Sequence, residues 1–101
     1  MGACNIEMTL KGDKNKNEVL KEFKDRQKMD ANENGHQHGY SGDFQTVNRI
    51  DFHNEIFDNY NDAENYCLDN AQKWESVVAV KYLVNKETNK YDWLIAGWGA
   101  C

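Results

Sequence analysis

The sequence predicts an α+β fold: an antiparallel sheet of about four strands with two helices packed on one face, in the order β-α-β-α-β-β. Three observations lead there. Cys4, Ile6, Met8 and Leu10 alternate with polar residues, as in a half-buried strand. Ala63, Cys67, Ala71 and Trp74 recur at helical intervals. Two strand-like runs, 76–84 and 91–98, flank a polar turn at 85–90 and form a hairpin. At 101 residues the chain is one domain, 1–101, with room for a single core.

After the first strand, Gly12 and Asp13 turn the chain, and Asn15 with Glu18 has the spacing of a capping box. A helix over 15–29 follows, with Val19, Leu20 and Phe23 on its apolar stripe. Residues 30–42 hold Asn32, Asn34, Gly35, Gly39 and Gly42 with hardly any aliphatic side chain, so they are expected to form a loop. Strand structure is expected over 43–52, resuming at 55–57. Phe44, Thr46, Ile50 and Phe52 share one parity there, and Val47 breaks it, which calls for a bulge near Asn48 or two short strands. A second helix over 62–74 starts from the capping-box spacing of Asn61 and Glu64. The run 76–84 is apolar on both parities, as in a central strand covered on both sides. Two helices on one face leave the other face of such a hairpin to the long loop, a second copy of the chain in a homodimer, or a partner, with Trp98 as a candidate anchor.

The location of charge is more informative than its total. The net charge is −5, yet residues 1–49 and 73–101 are nearly balanced, whereas 50–72 carries six acids and no lysine or arginine. These are Asp51, Glu55, Asp58, Asp62, Glu64 and Asp69. Carboxylates spread over a strand, a turn and a first helical turn imitate nucleic-acid phosphates and suit a basic groove on a protein partner. The same segment repels phosphate, and no basic stripe is present, so direct nucleic-acid binding is not expected. No apolar run approaches the roughly 20 residues of a membrane span, and no leader pattern precedes the first strand. Three cysteines, Cys4, Cys67 and Cys101, leave one over from any pairing and suit thiols in a reducing cytoplasm; were a disulfide present, Cys4 with Cys101 is the pair expected.

The loop around 35–44 offers the other candidate chemistry. His36 and His38, with His53 and the cysteines, supply metal-ligand atoms, but no rigid spacing or companion motif aims them, and neither metal nor cofactor is expected. Ser41 with His38 and Asp43 lacks a nucleophile elbow, and the acidic segment lacks the glycine and final glutamate of a calcium loop, so no enzyme is expected. Gly39 and Gly42 would let backbone amides approach an anion, with His36, His38, Tyr40, Ser41 and Asp43 around it.

Asparagine and lysine are frequent, arginine is scarce and proline absent, a bias associated with AT-rich coding sequence. The segments Gly39-Tyr40-Ser41-Gly42, Ala63-Glu64-Asn65-Tyr66, Lys73-Trp74, Ala79-Val80-Lys81-Tyr82 and Gly97-Trp98-Gly99-Ala100 together resemble small uncharacterised proteins of bacteria and their phages. That resemblance implies a whole-chain domain and carries no activity. The expectation is a small non-enzymatic binding protein, encoded by a phage or mobile element, that inhibits or sequesters a host defence or nucleic-acid-binding protein through its acidic face. The alternative is a small-ligand module that takes a nucleotide or other anionic metabolite in the loop 35–43.

Overall fold

The computed structural model describes residues 3–34, 44–72 and 75–100. Strand β1 (Ala3–Leu10) leads to helix α1 (Lys16–Asn34), a 3-10 turn (Phe44–Thr46), strand β2 (Arg49–Phe57), helix α2 (Tyr60–Asn70), and strands β3 (Ser76–Asn85) and β4 (Lys90–Ala100). This is an α+β fold with the expected order of elements.

Local chemistry sets the helix ends. At α1 the Asn15 Oδ1 accepts the Glu18 amide at 2.9 Å and the Glu18 Oε1 accepts the Asn15 amide at 3.3 Å, the reciprocal capping box. The helix continues past residue 29 to Asn34, so the first part of the expected loop is helical. At α2 the cap is Asn59 instead of Asn61: its Oδ1 accepts the Asp62 amide at 2.8 Å and its Nδ2 donates to Asp62 Oδ2 at 3.1 Å. The helix therefore occupies 60–70 in place of 62–74. The strand expected over 43–52 is also displaced. Phe44 and Val47, both buried, are brought to one side by the 3-10 turn, where residues three apart eclipse, which accounts for the parity break. The bulge of β2 falls between Phe52 and Ile56, not near Asn48.

The sheet order is β1-β4-β3-β2. β4 runs antiparallel to both β1 and β3, but β2 is parallel to β3, so the sheet is mixed and the fully antiparallel expectation is corrected. The reason is connectivity: α2 carries the chain back so that β3 starts at the same end as β2, a β-α-β crossover. By the pairings, β1 also points the same way as β2, from the opposite edge. The crossover through α1 thus steps across the sheet one way and that through α2 steps back. With the usual right-handed sense, two such crossovers place their helices on opposite faces.

Opposite faces are what the packing shows, correcting the expectation of both helices on one. Val77, Ala79, Trp93 and Ile95 pack with Val19 and Phe23 of α1 and with Phe44 and Val47. Val78, Val80, Leu94 and Ala96 pack with Ala63 and Cys67 of α2. Adjacent strand residues point to opposite sides, so these are the two faces of one hairpin. The face expected to await a partner or a second copy is covered by α1 and the 3-10 turn. Each face also has an indole tie: Trp93 Nε1 donates to Lys14 O at 2.8 Å and Trp98 Nε1 to Leu68 O at 2.9 Å, so Trp98 packs under α2.

The 3-10 turn is held by α1. Asp30, 4% exposed, accepts the Phe44 amide at 3.0 Å and Arg26 Nε at 3.1 Å, and Gln27 Nε2 donates to Phe44 O at 3.1 Å and Val47 O at 2.8 Å. Asp30→Ala, which leaves a buried amide without its acceptor, is expected to lower unfolding free energy by about 2 kcal/mol in urea titration. At Gly97 an added Cβ would lie 2.9 Å from Val77 Cγ1 and 3.1 Å from Ser76 O. Gly97→Ala is therefore expected to destabilise the central hairpin by about 1–3 kcal/mol, read the same way.

Candidate functional site

The six carboxylates of 50–72 do not form one patch. Asp51 and Glu55 lie on β2, and Asp58 on the turn after it; all three are exposed. On α2, Tyr66 stacks on His53 of β2 with ring centroids 4.2 Å apart, so that flank of the helix faces the β2 edge. Residues 62 and 69, four before and three after Tyr66, share its flank. Asp51, Glu55, Asp58, Asp62 and Asp69 thus gather along one edge of the domain. Arg49, the only lysine or arginine of β2, is held by Glu75 Oε1 at 2.8 Å and Asp51 Oδ1 at 3.2 Å, and these carboxylates strengthen its hold on its proton, Asp51 most. Its charge is matched within the chain, leaving the other carboxylates to set the local field.

Glu64 is turned to the opposite edge, against β1. There Tyr60 Oη donates to Glu7 Oε1 at 2.9 Å, and the Glu64 side chain lies beside Glu7. Burial first, and then Glu64, raise the Glu7 carboxyl above its ordinary value, and burial and Glu7 raise the Tyr60 phenol. Cys67, beneath the same helix, donates its thiol to Val78 O at 3.3 Å, and burial pushes its pKa up to about 12. A thiol so placed packs as a small apolar group and is a poor nucleophile. The expectation of three thiols is corrected at Cys4, which is in a disulfide whose partner lies outside the described residues.

His53 is held between Tyr66 and the bulge. Its Nδ1 is 3.0 Å from the Tyr66 hydroxyl, and its Nε2 is enclosed, 3.5 Å from Glu55 Oε2. With the proton on Nε2, the tyrosine donates to Nδ1 and the imidazole N–H faces the carboxylate.

On the α1 side of the same bulge lies a cleft of about 200 Å³, lined by Lys14, Lys16, Asn54, Glu55, Lys81 and Trp93, among others. No reading of the sequence selected it. Two signals were present: Lys14 and Lys16 flank the capping asparagine, and Lys81 is the one charge in the apolar run 76–84. What brings them together is the pairing of β2 with β3, which adjacency in sequence does not reveal. The loop residues His36, His38, Tyr40, Ser41 and Asp43 lie outside the described residues. Among the described residues, no three histidine, cysteine, aspartate or glutamate side chains are arranged to hold a metal ion, and no helix is long and apolar enough to cross a membrane.

Compared with protein-family models, curated proteins and solved structures, the chain has no match, so its function has to be argued from its own residues.

The Glu7 carboxyl gives a pH dependence whose sign is fixed. Its folded value is raised, so the folded protein keeps a proton that the unfolded chain loses near 4.5. Its stabilising contribution is present below that pH and is lost as pH rises through the folded value. Glu7→Gln, which keeps the acceptor for Tyr60 and offers Glu64 a donor, is expected to be more stable than the parent at neutral pH. That advantage should vanish at acid pH, in urea titrations run across the range.

Proposed function

We propose that the protein is a non-enzymatic binding protein that lays its acidic edge against a positively charged groove of a partner protein, a groove of the kind that holds nucleic acid, and so inhibits or sequesters that partner. The observation that carries this reading is the collection of Asp51, Glu55, Asp58, Asp62 and Asp69 along β2 and the neighbouring flank of α2, with the one arginine of β2 already held by carboxylates. The carboxylates sit on a strand, a capped turn and a helix, so little ordering entropy is lost on docking. A row of like charge also steers a basic partner from a distance, and counterions released from its groove add affinity at low salt. The compositional bias and the resemblance to small bacterial and phage proteins suit an inhibitor encoded by a phage or mobile element and aimed at a host component. A nucleic-acid-binding partner places the encounter in the cytoplasm; the Cys4 disulfide removes the cysteine count as an argument for that compartment.

The test is capture from host lysate at low and moderate salt, with and without competing duplex DNA. The parent protein is compared with the triple variant Asp58→Lys, Asp62→Asn, Asp69→Lys. Asparagine at 62 preserves the first turn of α2, where a lysine would oppose the helix dipole. The expected result is a basic protein retained by the parent, displaced by salt and by DNA, and bound about a hundredfold more weakly by the variant, since like charges set against each other cost several kcal/mol. Retention by the variant equal to that of the parent, or insensitive to salt, overturns the reading.

A further inference from the structure

We infer that the cleft between α1 and the β2 bulge binds a small, free phosphate monoester. Three lysines from two distant parts of the chain converge there in a protein of net charge −5: Lys14 and Lys16, on either side of the cap of α1, and Lys81 from β3. Glu55 is the one carboxylate in the lining and Asp13 pairs with Lys81, which leaves an excess of one positive charge on the side of Lys14 and Lys16. A phosphate monoester carries about −1.5 to −2 near neutral pH, the sign that this excess attracts.

The cations are positioned by their neighbours. Lys16 Nζ donates to Asn54 Oδ1 at 3.2 Å and lies 5.7 Å from the Phe52 ring centroid. Lys81 Nζ lies 5.2 Å from the Trp93 ring centroid and pairs with Asp13. Trp93 Nε1 fixes the Lys14 backbone by its bond to the carbonyl, while the Lys14 ammonium has no ion-pair partner among the described residues. The capping box engages the amides of Asn15 and Glu18, so the first-turn donors left at this end of α1 are those of Lys16 and Asn17.

The cleft lies toward the carboxyl end of β2, between its bulge and the connection that enters α1. The bulge brings Asn54 to the rim, and Ile56, 48% exposed, lies at the mouth. About 200 Å³ is below the roughly 300–1,000 Å³ of sites for drug-sized ligands. The space suits a phosphate on a short carbon frame and is too small for a nucleotide. None of this depends on the acidic edge: the variant of that edge leaves the cleft lining intact, so the two readings fail separately.

The test is titration of the ¹⁵N-labelled protein with glycerol 3-phosphate at constant ionic strength. Saturable shifts are expected at the Lys16 and Asn17 amides and at the Trp93 indole N–H. Lys14→Gln with Lys16→Gln should weaken binding by about tenfold or more, whereas Lys24→Gln with Lys28→Gln, the same charge change elsewhere on α1, should leave it within about twofold. Ile56→Trp, which narrows the mouth without altering charge, should also weaken it. Shifts that fail to saturate, equal weakening by the two double variants, or no response at Lys16, Asn17 and Trp93 overturns the inference.

Discussion

Burial of the β3–β4 hairpin on both faces is the constraint on which the rest of the structure depends. Val77, Val78, Ala79, Val80, Leu94, Ile95 and Ala96 are all at most 5% exposed. A hairpin that apolar has to be covered twice, and a chain with two helices can do so only by placing one on each side. Crossovers that step across the sheet in opposite directions meet that demand with ordinary handedness. They also push β1 and β2 to the two edges, where strands with one apolar face suffice. Small residues at the centre, Ala79, Ala96 and Gly97, keep both layers close, and the Gly97 position has no room for a methyl group.

The same arrangement sorts the charges. α2 carries acids and no lysine or arginine, and its β2-facing flank extends the row of carboxylates on the edge strand. The start of α1 brings lysines to the other side of that strand. β2 therefore divides two surfaces of opposite character, and its bulge contributes to both: Glu55 to the acidic row, Asn54 to the basic cleft. A net charge of −5 conceals this division.

Elements with a strong period were legible in the sequence and those shaped by distant contacts were not. The alternation of β1, the stripe Ala63-Cys67 and the two-sided hairpin follow from side-chain spacing alone, and the capping box of α1 was visible as Asn15 and Glu18. The 3-10 turn was hidden because Phe44 and Val47 are drawn inward by Asp30 and Gln27, polar residues of α1 whose role depends on a fold already formed. The parallel pairing of β2 was hidden because an amphipathic strand has the same alternation in either direction. For the sites, the clustering of acids between 50 and 72 was apparent, yet only helix phase against His53 and Glu7 shows that Glu64 leaves the group. The lysine cleft joins residues up to 79 positions apart, as the bond from Trp93 to Lys14 illustrates, and no local pattern announces that.

The place of β1 has a consequence for how the molecule is made. Among the described residues its only strand partner is β4, with Ala3 opposite Ala100 and Leu10 opposite Trp93. On the ribosome, β1 emerges well before β4 and must wait for it. Until then one edge of the nascent sheet has no neighbour, and Ile6 and Leu10 remain without the floor that buries them. Such long-range closure slows folding and prolongs the interval in which an apolar strand is exposed to other chains. Lys11, Lys14 and Lys16 follow that strand closely in sequence. Charges that flank an apolar strand in this way are of the kind that opposes its association with other chains.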